Sequence, residues 1–271
     1  MSWRRAVIGL TALTLLACYG PTLRGMFEQW ASDEDMSHGF LVPLVILWIL
    51  WRERWRWRIL EAKPNSWGFV LLAFAAGLLF AGALGVGLFA SSVAFLLSVI
   101  GAVLCLGGME WLRALAFPLG LAIFMLPKLA IVYNQATLPL QLLASRLAAE
   151  ILTVAGIGVI REGNILDVGG HRVAVVEACN GIRYVLSLGF MAVVFAYVAD
   201  SKPWMRSALL VTALPIAILA NGVRVAAAGW LPSLESGFPH AVMGWFIFVF
   251  SLAIMMLLRR LLNTVYVHYR S

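Results

Sequence analysis

Residues 173–184 read Val-Ala-Val-Val-Glu-Ala-Cys-Asn-Gly-Ile-Arg-Tyr, an alternating, strand-like run that leads into a long apolar stretch. We expect a helix to begin near Cys179, and the positive end of a helix dipole favours the thiolate that attacks electrophiles. A cysteine in such a position is more often a small, inert apolar side chain. The stretch therefore predicts a strand followed by a membrane helix, and it makes Cys179 a candidate nucleophile that needs partners.

The composition is that of a membrane protein. Hydrophobic residues make up 62% of the 271 residues and charged residues only 12%, and the mean hydropathy is +0.93. These values exclude a soluble globular domain. The three cysteines form no Cys-x-x-Cys pair, which argues against a thiol-redox relay.

Apolar stretches near the length of a membrane span predict an all-α membrane protein with about eight transmembrane helices. No repeat or linker divides the chain, so we expect a single polytopic membrane domain over residues 1–271. The first stretch is interpreted as a retained helix, because Cys18-Tyr19-Gly20-Pro21 does not resemble a signal-peptide cleavage site. The predicted helices are, in order, 6–23, 39–51, 66–84, 86–106, 115–126, 180–198, 207–223 and 241–258.

One long stretch, residues 127–178, is not simply apolar. Residues 138–157 carry apolar side chains at helical spacing with polar ones opposite, which predicts an amphipathic helix in the membrane interface. The next residues alternate around Gly169-Gly170, which is a turn signal for a short β-hairpin. Because hydrocarbon cannot satisfy the backbone of a hairpin, we expect these elements at the extracytoplasmic surface, before the cysteine motif.

Basic residues are distributed unevenly between the two sides of the predicted membrane domain. Thirteen Lys and Arg residues lie on the side of the N-terminus and five on the other, which predicts that both termini are cytoplasmic (N-in, C-in). Residues 51–58 interleave Arg with Trp. Beside a membrane helix this pattern indicates anchoring at lipid headgroups, so we expect contact with membrane lipid and no nucleic-acid partner.

This orientation brings three reactive side chains to the extracytoplasmic ends of three helices: Cys179, Arg224 and His240. A thiol, an imidazole and a guanidinium are the groups required for cysteine acyl transfer, because they supply a nucleophile, a proton carrier and a stabiliser of the oxyanion. His38 competes with His240 for the second role, since Ser37-His38-Gly39 opens a helix on the same face.

These residues resemble the exosortases and their archaeosortase relatives, which are multi-pass membrane cysteine enzymes. The resemblance extends over about residues 30–260. It rests on four pieces, which are Ser37-His38-Gly39-Phe40-Leu41-Val42-Pro43, Glu177-Ala178-Cys179-Asn180-Gly181-Ile182-Arg183, Asn221-Gly222-Val223-Arg224-Val225, and His240 with Gly244-Trp245. Asn180 departs from the family, which commonly has Ser there, but a small polar side chain is kept.

The resemblance implies a thiol protease or transpeptidase with Cys179 as nucleophile, Arg224 as transition-state or thiolate stabiliser and His240 as general acid/base. It implies no metal and no organic cofactor. The expected supporting or substrate-binding residues are Asn221, Arg183, Glu177, His38 and Asn180. The implied partners are exported proteins with a C-terminal sorting tail, formed by a Pro-Glu-Pro-type motif, a membrane helix and a basic end. The implied location is the inner membrane of exopolysaccharide-producing Gram-negative bacteria, with the site facing the periplasm.

Two other functions compete with this interpretation. The chain could be a non-catalytic membrane subunit of exopolysaccharide or lipid-linked sugar export, in which Arg224, Arg183 and His38 bind an anionic headgroup. A secondary transporter is disfavoured, because the sequence lacks repeat symmetry and mid-membrane acidic residues. A catalytic thiol that reacts with alkylating agents from outside separates the enzyme from the export subunit.

Overall fold

A computed structural model describes residues 2–175, 181–200, 202–235 and 237–268. Most of these residues are helical, and one small sheet is present among them. They form two compact units, Met1–Leu129 and Ala130–Ser271, which are described one at a time. The helices of the first unit are α1 (Ser2–Cys18), α2 (Gly20–Ser32), α3 (Leu41–Arg52), α4 (Arg54–Arg58), α5 (Trp67–Ala81), α6 (Leu88–Gly107), α7 (Met109–Ala114) and α8 (Ala116–Leu121). Those of the second are α9 (Ala130–Val154), α10 (Ile182–Ala199), α11 (Pro203–Trp230) and α12 (Gly237–His268).

Within the described part of the chain, seven helical segments are long and apolar enough to cross a membrane. An eighth is formed if α1 and α2, which meet at an angle of 66°, are counted as one bent span. The seven segments are Glu34–Arg52, Trp67–Val86, Leu88–Gly107, Ala130–Val154, Ile182–Ala199, Pro203–Trp230 and Gly237–His268. The prediction of an all-α, multi-pass membrane protein is confirmed.

In the first unit, α5 and α6 form a tightly packed helical hairpin. They are joined by a π-helical turn, Gly82–Val86, and Gly87 follows it at φ 93°, a backbone conformation that glycine adopts without strain. A Cβ atom placed on Gly68 of α5 would lie 2.5 Å from Sγ of Cys105 on α6. The two helices approach this closely because small residues line their contact.

A half-buried ion cluster in the same unit joins segments that are far apart in the sequence. Nζ of Lys128 lies 2.5 Å from Oδ2 of Asp33 and 3.2 Å from Oδ2 of Asp35. Beside it, Nε1 of Trp30 donates a hydrogen bond to the carbonyl of Met125. Burial lowers the pKa of Lys128, but the two carboxylates outweigh it and raise this pKa above its ordinary value. The cluster fixes the end of the first unit to the beginning of Glu34–Phe40, a 3₁₀ helix that precedes α3.

One predicted span differs from the structure. The fifth was expected at residues 115–126, but α8 and the following 3₁₀ turn, Ala122–Met125, form only a short apolar helix of ten residues. The segment Ala130–Val154 is long enough instead, although sequence periodicity indicated an interfacial helix over 138–157. Helix α9 begins eight residues before the predicted start at residue 138, and Pro139 lies inside it.

In the second unit, α10, α11 and α12 form a three-helix layer with an apolar core. The core residues include Leu188 of α10, Leu209 of α11 and Met255 of α12, all at most 1% exposed. At one end, Arg206 donates a hydrogen bond to the carbonyl of Asp200, and Arg259 donates one to the carbonyl of Ala199. The candidate site lies at the other end of the same layer.

A three-stranded antiparallel sheet covers the ends of α9 and α11. Its strands are β1 (Val159–Glu162), β2 (Ile165–Val168) and β3 (His171–Ala174), in that order. The predicted hairpin with its Gly169-Gly170 turn is confirmed, and both glycines have positive φ. Leu166 is fully buried between the helices and the sheet, and Ser145 of α9 donates a hydrogen bond to the carbonyl of Gly163 at 2.9 Å.

Helix α11 is longer than predicted. The apolar pattern indicated an end near Val223, but the helix continues to Trp230. A Cβ atom on Gly222 would lie 2.9 Å from Cβ of Leu147, so α9 and α11 are in very close contact there. Beyond this point Val225 and Ala226 are buried against α9 and the sheet. The extra turns are stable because the helix is packed outside the predicted span, which hydropathy alone cannot show.

Candidate functional site

The candidate site lies in the second unit, where the first turns of α10 and α12 meet the last third of α11. The sequence-predicted residues that are described in this region are Arg183, Asn221, Arg224 and His240. Three others lie outside the described residues: Glu177, Cys179 and Asn180. His38 lies in the first unit, where it is 5% exposed and its Nδ1 donates a hydrogen bond to the carbonyl of Asp35 at 3.1 Å.

Arg224 is a buried cation, only 3% exposed, inside α11. Its Nη2 donates a hydrogen bond to Nε2 of His240, and its guanidinium carbon lies 5.4 Å from the centroid of the Tyr184 ring. None of the acidic side chains in the described ranges forms an ion pair with it. Because a buried charge is costly unless it is compensated, negative charge placed beside Arg224 would be strongly favoured.

The protonation of His240 follows from its two partners. Its Nδ1 lies 2.8 Å from the carbonyl oxygen of Leu234, which can only accept, so Nδ1 carries a proton. Its Nε2 faces Arg224, which can only donate, so Nε2 presents a lone pair. The imidazole is therefore neutral, and its basic nitrogen faces the guanidinium.

The carbonyl that orients His240 belongs to a 3₁₀ turn, Pro232–Leu234, between α11 and α12. The next residue, Glu235, places Oε1 3.3 Å from Nε2 of His171, the first residue of β3. The sheet therefore contacts the turn that sets the tautomer of His240. No sequence pattern indicates this arrangement, because a hydrogen bond to a backbone carbonyl does not depend on the residue type.

Asn221 lies one helical turn before Arg224 and is 2% exposed, so both side chains are on the same buried face of α11. A Cβ atom on Gly181 would lie 2.9 Å from Nδ2 of Asn221, and Gly181 has φ 87°. Only glycine meets both conditions without strain. The start of α10 is thereby fixed beside Asn221, and Arg183, half-buried, lies in the first turn that follows.

Tyr184 is a site residue that sequence analysis missed. It is 5% exposed, its ring lies against the Arg224 guanidinium, and its hydroxyl donates to the carbonyl of Gly244 on α12 at 3.5 Å. Its only signal was that a polar aromatic follows Arg183 in an otherwise apolar helix. Stacking on an aromatic face stabilises a cation in a desolvated position.

The level of the site along α11 matches a membrane boundary. At 1.5 Å per residue, Arg224 lies about 31 Å from Pro203 along the helix axis, which equals the thickness of a hydrocarbon core. Arg206 and Arg259 mark the opposite end. A small cleft adjoins the site, and it is lined by Leu140, Leu143, Ala144, Gly181, Val185, Ile218 and Asn221.

Comparison with known proteins identifies the family. The family model described as transmembrane exosortase matches residues 30–257, which is most of the chain. No curated protein and no solved structure shows significant similarity to it. The matched residues include the bundle of α10, α11 and most of α12, together with Arg224 and His240. The chain is a member of the transmembrane exosortase family, a multi-pass membrane protein.

Proposed function

We propose that this protein is a membrane cysteine protease or transpeptidase, with Cys179 as its nucleophile. Its substrates are exported proteins with a C-terminal sorting tail, made of a Pro-Glu-Pro-type motif, an apolar helix and a basic end. It cleaves this tail at the outer face of the bacterial inner membrane, toward the periplasm. Membership of the exosortase family supports this class of reaction.

The contact between Arg224 and His240 is the observation that carries the proposal. A neutral histidine with its basic nitrogen held against a buried arginine supplies a proton acceptor and a charge stabiliser at one point. Neither side chain belongs to the apolar core that packs α10, α11 and α12 together.

Chain connectivity supports Cys179 as the third member. Cys179 precedes Gly181 by two residues, and two residues of extended chain reach at most about 7 Å. Gly181 is itself in contact range of Asn221, one helical turn from Arg224. Chain connectivity thus limits how far Cys179 can lie from Gly181, and this limit supports the proposal.

The proposed reaction proceeds through a thioester. The hydrogen bond from Arg224 to Nε2 of His240 first opens, and Nε2 then takes the thiol proton of Cys179. The thiolate attacks the carbonyl carbon of the scissile peptide bond. Arg224 stabilises the oxyanion that forms. The C–N bond then breaks, and the leaving amine takes the proton from Nε2. Water or an acceptor amine attacks the thioester and returns the thiol.

The membrane itself contributes to substrate selection. A tail with its own apolar helix is confined to the plane of the bilayer, which raises its effective concentration at the site. Its motif precedes the helix and would lie at the boundary where Arg224 is found. Asn221, Arg183, Glu177 and Asn180 are proposed to support this site, and His38 to assist substrate binding.

Replacement of Cys179 tests the proposal. A reporter protein carrying a Pro-Glu-Pro motif, an apolar helix and a basic end is co-expressed with the enzyme. Cys179→Ala should abolish processing of the tail, whereas Cys105→Ala, which also removes a thiol, should leave it within about twofold. Both variants should insert in the membrane at wild-type levels. Unimpaired processing by Cys179→Ala would refute the proposal and favour the export-subunit alternative.

A further inference from the structure

The outer edge of β3 has backbone groups available for another strand. The bond from Val175 N–H to the Asn164 carbonyl, at 2.8 Å, and the register of β2 with β3 show which residues bond within the sheet. Along a strand of an antiparallel pair, residues that bond to the partner strand alternate with residues that do not. Arg172 and Ala174 therefore direct their N–H and C=O groups away from β2. Neither Arg172 nor Ala174 forms a backbone hydrogen bond to another described residue, and both residues are exposed.

This edge leads toward the site. At the first residue of β3, the His171 ring contacts Glu235. Val168, which pairs with His171 on β2, lies 3.5 Å from a Cβ placed on Gly229. At the other end of the strand, Val175 packs in the same buried cluster as Val225, the neighbour of Arg224. Strand β3 therefore runs antiparallel to α11, from the end of that helix down to the level of Arg224.

The other edge of the sheet lies away from the site. On β1, Val159 and Arg161 are the residues whose backbone groups point outward by the same alternation. Strand β1 is separated from β3 by β2 and packs near α9 through the partly buried Val159. Two edges of one small sheet thus have equivalent backbone chemistry, but only β3 is continuous in sequence with Cys179.

From this geometry we propose that β3 binds the sorting tail as an added strand, and that the new strand is parallel to β3. The inference rests on the proposed function, since it supplies the extended peptide. Because its apolar helix follows its motif, the tail approaches the membrane in the N-to-C direction. Strand β3 approaches the membrane in the N-to-C direction as well. Main-chain bonds to Arg172 and Ala174 would hold the peptide extended and carry the scissile bond to the thiol.

Proline substitutions test the edge. Proline removes an N–H group, and it is tolerated on an edge strand where that group does not belong to the sheet. Arg172→Pro and Ala174→Pro should each lower kcat/KM for the reporter about tenfold, since each removes one main-chain bond. Arg161→Pro makes the same change on the β1 edge and should stay within about twofold of wild type. Equal effects at positions 161 and 174 would overturn the inference.

Disulfide trapping reads out binding without catalysis. In a Cys18→Ser, Cys105→Ser, Cys179→Ala background, Arg172→Cys, Ala174→Cys or Arg161→Cys is combined with single cysteines along the reporter tail. Bridges form where Cα atoms approach within about 7 Å. Position 174 should trap a tail residue about two places nearer the tail helix than position 172 does, and position 161 should trap none.

The outcomes separate the two proposals. Reversed order would refute the parallel strand, and trapping only at position 161, or at none, would refute the β3 edge as the binding surface. If wild-type enzyme processes the reporter while trapping fails, the further inference is wrong and the proposed function stands. If trapping succeeds but wild-type enzyme leaves the reporter intact, the edge binds tails and the proposed chemistry fails.

Discussion

Arg224 carries its charge where neither water nor a described carboxylate compensates it. It is held by a lone pair on His240 and by the face of Tyr184, and both are weaker partners than a carboxylate. A neutralising ion pair would reduce the attraction between the guanidinium and an oxyanion. Among the described residues no ion pair weakens this attraction, as the proposed role of Arg224 requires.

Replacing Arg224 by Lys tests this role at the scale of one residue. Lysine keeps the charge but loses the planar fork that contacts imidazole and ring together. We expect turnover of the reporter to fall about 100-fold with little change in KM, as for the loss of an oxyanion donor. Arg206→Lys, on the same helix at its opposite end, should remain within about twofold. Matching losses in the two variants would mean that Arg224 acts only through helix stability.

For single residues, the sequence indicated which side chains are candidates for the site, but not their tautomers or contacts. The spacing of Arg224 and His240 at helix ends, together with the family motif, was sufficient to name both residues. It could not reveal that His240 is a neutral Nδ1–H tautomer, because this depends on the carbonyl of Leu234. Tyr184 was missed for a similar reason, since its role comes from a contact with α11 and not from its own neighbours in sequence.

Among the elements, α11 connects the membrane layer to the sheet. Its first part packs in the core with α10 and α12, and its last part packs against α9 and the strands. Gly222 lies at the point of closest approach to α9, between Asn221 and Arg224 in the sequence. Packing at this one position therefore affects the geometry of the site.

A small side chain at Gly222 should disturb this contact. In Gly222→Ala the new Cβ would lie 2.9 Å from Cβ of Leu147, which is too close, so the helices must separate. We expect a loss of about 1–3 kcal/mol in the free energy of unfolding, measured in detergent. Gly189→Ala on α10 is the control, because nothing lies within 4 Å of its added Cβ and alanine favours a helix. Equal stability of the two variants would contradict the close-packing account.

The helices and the hairpin also show which structural features hydropathy alone does not predict. The hairpin was predicted correctly because Gly169-Gly170 is a local signal, and turn geometry is a local property. The predicted ends of α11 and α9 were wrong, because tertiary packing extends a helix beyond its apolar stretch. The composition of residues 115–126 predicts a membrane span, although these residues form only a short helix.

For the whole molecule, the distribution of basic residues predicts which face carries the site. Arg161 in the sheet and Arg260 near the end of α12 are both exposed. The positive-inside rule predicts that they lie on opposite sides of the membrane. This orientation is a requirement of the proposed function, because the tail to be cleaved belongs to an exported protein.

Thiol labelling measures the orientation. In a background without the three native cysteines, Arg161→Cys should react with a membrane-impermeant maleimide added to spheroplasts. Arg260→Cys should react only after the membrane is lysed, and it reports on leakage in the same preparation. Labelling of Arg260→Cys alone in intact spheroplasts would reverse the orientation and place the site in the cytoplasm.

The ion cluster of the first unit has a consequence for the order of events during synthesis. Lys128 is made 93 residues after Asp35, with which it forms a hydrogen-bonded ion pair. At 5–20 residues per second, a ribosome needs about 5–20 s to travel that distance. For that interval the growing chain contains both acidic residues but not their cation. The charge compensation that closes this end of the first unit is therefore a late event, and it follows synthesis of the whole α5–α6 hairpin.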